Sequence, residues 1–193
     1  MRLREVPFLW MIAAVFVAAS VPASVAPATA QTEMRSAASV VKPAAYVSLE
    51  PVPRGKEFQI AVVAEIARGY HVNSHKPTDP YLIATTLTPQ LPNGFQAGAA
   101  VYPPGKLEKF PFSPDKPLDV YSGSVTLLLH VTAQSGAPLG DVTLPLTLRY
   151  QACNDAACLP PVKIPVTATV HVADAGAKSR AVHPEIFGAT SQR

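Results

Sequence analysis

The stretch Val142–Cys153 reads VTLPLTLRYQAC. It sets Val142, Leu144, Leu146, Leu148 and Tyr150 on one side of an extended chain, and Thr143, Pro145, Thr147, Arg149, Gln151 and Cys153 on the other. A repeat of two is the signature of a strand with one buried face. The same alternation runs through Phe58, Ile60, Val62, Ala64 and Ile66, through Val125, Leu127, Leu129 and Val131, and through Val162, Ile164, Val166, Ala168 and Val170. Weaker strands fit near 45–52, 70–74, 81–88 and 97–102. Arg54-Gly55, Arg68-Gly69, Pro92-Asn93-Gly94, Ser122-Gly123 and the run from Gly136 to Gly140 punctuate them as turns. Short alternating strands with such punctuation predict an all-β fold, a sandwich of antiparallel sheets. Pro145 and Pro165 interrupt good strands, which places those strands at a sheet edge or on a bulge.

Composition agrees. The chain has 21 prolines and only 15% charged residues, which favours turns and short strands over long helices, and its length supports one domain of ordinary size. At the N-terminus two arginines precede an apolar run, and Ala28-Thr29-Ala30 gives the small-x-small pattern of a secretory signal peptide cleaved after Ala30. The run is short for a bilayer span of about 20 residues. No later segment is apolar enough to cross a membrane, and no cysteine lies near the cleavage point to accept a lipid. Residues 1–30 are therefore read as a leader, 31–43 as a mature tail, 44–173 as the domain and 174–193 as a disordered polar tail. Removing the leader takes away two positive charges and one negative, leaving +2. That is too small and too scattered for nucleic acid. Export to a periplasm permits disulfides.

The only cysteines, Cys153 and Cys158, lie in YQACNDAACLPP. They could be a structural staple, metal ligands or a redox dithiol. By parity Cys153 falls on the polar side of its strand, which predicts a sulfur near the surface. Bonding requires the Cα atoms to approach to about 5.5 Å. Asn154-Asp155 favours the necessary reversal because both side chains can hydrogen-bond their own backbone. The pair can thus close a small ring. Such a ring stabilises by only about 2 kcal/mol, against about 5 for a 100-residue loop, and short accessible disulfides exchange readily. That weighs toward a redox pair. Asp155 should disfavour a neighbouring thiolate.

The cysteine motif, the following VKIPVTATVHV, the upstream GYHVNSHKPTDPYLIATTL, and VYPPGK and DVYSGSVTL together resemble the periplasmic N-terminal domain of the thiol:disulfide interchange protein DsbD, from about Val47 to Val172. The resemblance implies an immunoglobulin-like β-sandwich carrying an exchangeable disulfide, with Cys153 and Cys158 as the catalytic pair. Tyr70 and His71 fall where the family places residues flanking the active site, and Asn73 and Asp155 are expected beside them. Phe110 or Phe112, in the proline-rich stretch 103–119, would correspond to the aromatic of a loop that caps the disulfide. That stretch reads either as a linker or as a lid. Family members pass electrons to periplasmic thioredoxin-fold proteins through mixed disulfides. The well-known architecture continues into a membrane domain, so a separate membrane electron donor is expected here. The cysteine spacing is one residue tighter than in the best-known members.

No cofactor and no metal are expected. His71 and His75 are four apart, a spacing that shares a face on a helix, whereas HVNSH reads as strand into turn with His75 solvated. No phosphate loop or serine elbow appears. The rival readings are an interaction module with a structural disulfide that recruits partners by strand addition, and a metal carrier.

Overall fold

Alternation in the sequence becomes alternation in burial along four long strands, and the rest of the chain is arranged around them. The computed structural model describes residues 36–188. The expected leader lies outside the described residues, as do 31–35 and 189–193. A single turn, α1 (Ala37–Val40), leads into β1 (Val41–Val47), β2 (Leu49–Glu50), β3 (Val52–Pro53), β4 (Glu57–Ile66), β5 (His71–Asn73), β6 (Thr86–Pro89) and β7 (Phe95–Val101). Then follow β8 (Lys106–Phe110), β9 (Ser113–Tyr121), β10 (Ser124–Ala133), β11 (Gly140–Tyr150), β12 (Ala152–Cys153), β13 (Val162–Ala173), β14 (Arg180–Ala181) and α2 (Pro184–Phe187).

One four-stranded sheet has the order β1-β4-β10-β7 and a second the order β3-β13-β11-β6. Registers in both keep apolar residues opposite one another. Leu127, Leu129 and Val131 face Val62, Ile60 and Phe58, while Leu144 and Leu146 face Ala168 and Val166. These residues from both sheets form one buried cluster, so the inner faces meet as an immunoglobulin-like antiparallel sandwich. Burying each such side chain contributes about 1.5–3 kcal/mol, and the pairing of two such faces is what the sequence pattern encodes. Among the described residues, only the short β3–β13 pairing is parallel.

Pro145 and Pro165 lie on the two interior strands of the second sheet. β6 pairs with β11 from Leu146 to Arg149, one position short of Pro145. β3 pairs with β13 only at Val172 and Ala173, far from Pro165. β11 is an interior strand, against the expectation of an edge: Gln90 N donates to Pro145 O at 2.9 Å, and only the return bond, which a proline cannot donate, is missing there.

Three regions differ from the sequence reading. β1 begins at Val41, before the expected boundary at 44, with Val40 and Val41 buried and Tyr150 Oη donating to Ala37 O at 2.7 Å. The segment after 173 returns to the sandwich: Arg180 and Ala181 pair with Glu50 and Leu49, Val182 N donates to Ser48 O at 3.0 Å, and Arg180 meets Glu50 at 2.6 Å. Backbone bonds rather than an apolar face hold it, so the sequence carries no period there. Residues 103–119 are not an unstructured connection: β8 and β9 form a hairpin with Phe110 opposite Ser113 and a tip at Pro111-Phe112.

No helix among the described residues is long and apolar enough to cross a membrane.

Candidate functional site

A third sheet, of order β12-β5-β9-β8, is set beside the sandwich. It exists because β11 ends at Tyr150. Beyond Gln151 the chain leaves the second sheet, and Ala152 and Cys153 pair instead with Val72 and His71. The break changes the outcome of the parity argument. Ala152 joins the main core and Cys153 lies outside that cluster, as the alternation requires, yet Cys153 has no exposed surface. The expectation of a surface sulfur is corrected: the small sheet covers it.

Cys153 and Cys158 are joined, with Cα atoms 4.0 Å apart. Asn154 turns the chain between them. Its Oδ1 accepts from the backbone N–H groups of Ala156 and Ala157, each at 2.9 Å, and its own N–H donates to Ala157 O at 3.0 Å. Leu159 N then donates to Ala152 O at 2.8 Å, closing the loop back onto β12. Cys158 and residues 155–157 are exposed. The bridge therefore joins a buried cysteine on a strand to an exposed cysteine on a turn.

His71 lies directly opposite Cys153 in the antiparallel ladder, so the two side chains leave the same face with Cβ atoms about 5 Å apart. The imidazole is 4% exposed. Phe110 stacks on it with ring centroids 4.0 Å apart, and Phe112 stacks in turn on Phe110 at 5.4 Å. Phe110 is anchored by Leu118, Val120 and Leu82, while Phe112 remains 43% exposed. Burial pulls the His71 pKa below its usual 6.5, and the negative charges of Glu108 and Asp155 oppose that shift. His71 Nε2 has no hydrogen-bond partner.

Asn73, two residues along β5, is fully buried. Its Nδ2 donates to Ile83 O at 3.1 Å and Gln151 Oε1 at 3.4 Å, and Thr85 Oγ1 donates to its carbonyl at 2.6 Å. Gln151 Nε2 reaches Leu159 O at 3.3 Å. Asn73 and Gln151 thus tie the start and end of the disulfide loop to β5. The base of the β8–β9 hairpin is fixed by Gly105, where any Cβ would collide with the Asp119 carboxylate and with Ser74.

The structure brings together Cys153, His71, Asn73, Phe110 and Phe112, with Asp155 exposed on the loop. Tyr70 is not in this group; it packs against the main core. His75 is not solvated as expected. Its ring stacks on Tyr102 at 3.7 Å and its Nδ1 lies 3.1 Å from Thr85 O. Gln151 and Glu108 went unnoticed in the sequence, since neither belongs to a motif; only the strand pairings place them. Among the described residues no three His, Cys, Asp or Glu side chains are grouped to hold a metal.

An immunoglobulin-like sandwich with a disulfide set in an accessory sheet is the class these features define. A family model described as thiol:disulfide interchange protein DsbD, N-terminal, matches residues 37–169, and the chain belongs to that family. A comparison with curated proteins returned no match. Among solved structures, the chain is similar to the reduced N-terminal domain of DsbD from Neisseria meningitidis, at 17% identity and a TM-score of 0.41, over 74% of this chain and 90% of that one. It is also similar to the N-terminal periplasmic domain of ScsB from Proteus mirabilis, at 10% identity and a TM-score of 0.46, over 77% and 52% of the two chains.

Proposed function

We propose that this protein is an exported, periplasmic thiol:disulfide exchange component that relays electrons through Cys153 and Cys158 to thioredoxin-fold proteins, and is itself recharged by a separate membrane-bound dithiol donor. The unequal exposure of the two cysteines is the observation that carries this reading. A partner thiolate must approach from solvent, and Cys158 is exposed while Cys153 is buried. Cys158 then forms the mixed disulfide, and Cys153 resolves it from inside. The β8–β9 hairpin, with Phe110 and Phe112 over His71, acts as the cap that must yield when a partner docks. Asn73 and Asp155 flank the pair, Asn73 by bracing the loop and Asp155 by its charge.

The test is to express Cys153→Ala and Cys158→Ala separately in a periplasm and look for covalent adducts. Cys153→Ala, which leaves the outward thiol alone, is expected to trap thioredoxin-fold proteins, and Cys158→Ala is expected to trap few or none. Absence of adducts from both, together with a reduction potential below about −300 mV, would leave a structural bond on an interaction module.

A further inference from the structure

The imidazole of His71 is almost completely buried with a ring nitrogen that has nothing to bond. An orphaned buried polar atom is costly, and folded proteins retain few of them without a reason. The surroundings narrow the reason. Phe110 covers one face of the ring at 4.0 Å, and Cys153 projects from the neighbouring strand on the same side. In the oxidised state the Cys153 sulfur offers no hydrogen to donate. Reduction changes that, because a thiol carries a proton that an unprotonated imidazole nitrogen can accept.

We propose that His71 is the proton acceptor for Cys153: its Nε2 pairs with the Cys153 thiol in the reduced protein and takes the thiol proton as that sulfur attacks the mixed disulfide. This rests on the exchange reading above. The step balances as follows. A Cys158 thiolate attacks a partner disulfide R–S–S–R′, forming Cys158–S–S–R and releasing R′S⁻. Cys153 S–H next gives its proton to His71 Nε2 and its electron pair to Cys158 Sγ. The Cys153–Cys158 bond forms, the Cys158–S–R bond breaks, and RS⁻ leaves. His71 returns its proton to the departing thiolate through solvent. The protein's thiol and thiolate have lost two electrons and one proton, and the partner's disulfide has gained them, one sulfur ending as RSH and the other as R′S⁻. In the reverse direction the same nitrogen supplies the proton to Cys153 as it departs.

Burial keeps the ring unprotonated at neutral pH, which an acceptor needs. The charged groups whose fields reach it are Glu108 on β8 and Asp155 on the disulfide loop, and both stabilise the imidazolium formed during transfer. On β9, the other neighbour of β5, Val120 and Tyr121 pair with Asn73 and Val72, and Asp119 lies next along the strand.

The reduced full-length chain and its His71→Phe and His71→Gln variants are mixed with oxidised glutathione, and two steps are timed: formation of the Cys158–glutathione adduct, isolated in a Cys153→Ala background, and closure of the ring with release of glutathione. His71→Phe preserves the stack on Phe110 and His71→Gln preserves polarity. Both are expected to slow ring closure about a hundredfold near pH 7, to leave adduct formation unchanged, and to abolish the inflection in the closure rate that the wild type shows in the histidine range. Equal closure rates and pH profiles in wild type and variants would overturn the role of His71 while leaving exchange intact. Failure of Cys153→Ala to form any adduct would overturn the exchange reading and this proposal with it. Should a variant not fold, the wild type decides: the His71 imidazole resonance is expected to titrate at a different pH in the reduced and oxidised forms, and identical titrations would refute the pairing.

Discussion

The sandwich and the accessory sheet are built from the same kind of antiparallel ladder, but they differ in how completely their groups are satisfied. Across the β4–β10 and β11–β13 ladders, apolar residues meet apolar residues. In the accessory sheet stand His71 Nε2, Asn73 Oδ1 and Asp119 Oδ1, which are the buried side-chain polar atoms without partners among the described residues. Half-satisfied polar groups destabilise a fold, and these three all lie in the sheet that carries Cys153. In the exchange reading proposed above, stability resides in one region and reactivity in the other.

That division can be broken deliberately. Leu146→Ala, at a site 1% exposed between the sheets, should cost about 2–5 kcal/mol in urea unfolding while the reduction potential of the folded protein stays unchanged. A shift in potential comparable to a Cys153 neighbour's would show that the two regions are coupled. A smaller effect is expected from pH. With a folded pKa below 6.5, His71 is neutral in both folded and unfolded chains above that value and contributes no pH dependence. As pH falls below 6.5, the unfolded chain binds a proton that the folded one refuses, and stability drops by up to about 1.4 kcal/mol per pH unit. His71→Phe should remove that loss, measured as the difference between the two unfolding curves from pH 7 to pH 5. A flat difference would mean that the ring is solvated. Smallest in stability is Phe112→Ala at the half-exposed hairpin tip, expected to change unfolding by less than about 0.5 kcal/mol. It should nonetheless speed reduction of the disulfide by dithiothreitol several-fold, sharpening the contrast between a residue that guards and one that supports.

The same contrast explains what the sequence disclosed. The sandwich was legible because a strand between core and solvent repeats every two residues, and Phe58–Ile66, Val125–Val131 and Val142–Tyr150 all keep that repeat. The cysteine ring was legible because Asn154 carries its own turn chemistry. Burial of Cys153 was not, since it depends on β12 leaving β11's sheet for β5, a partner about 80 residues away that leaves no local trace. The β8–β9 hairpin was hidden for a related reason: Lys106, Glu108 and Lys109 dominate its first strand and only Phe110 is buried there. The return of Arg180 and Ala181 rests on a ladder of two residues, too short to impose a pattern.

One last consequence concerns traffic. In the relay proposed above, a bridge with one exposed cysteine offers a single doorway, at Cys158, and whatever brings electrons must stand where whatever removes them will stand. Donor and acceptor cannot be seated together. The domain must serve them by turns, each visitor departing before the next arrives.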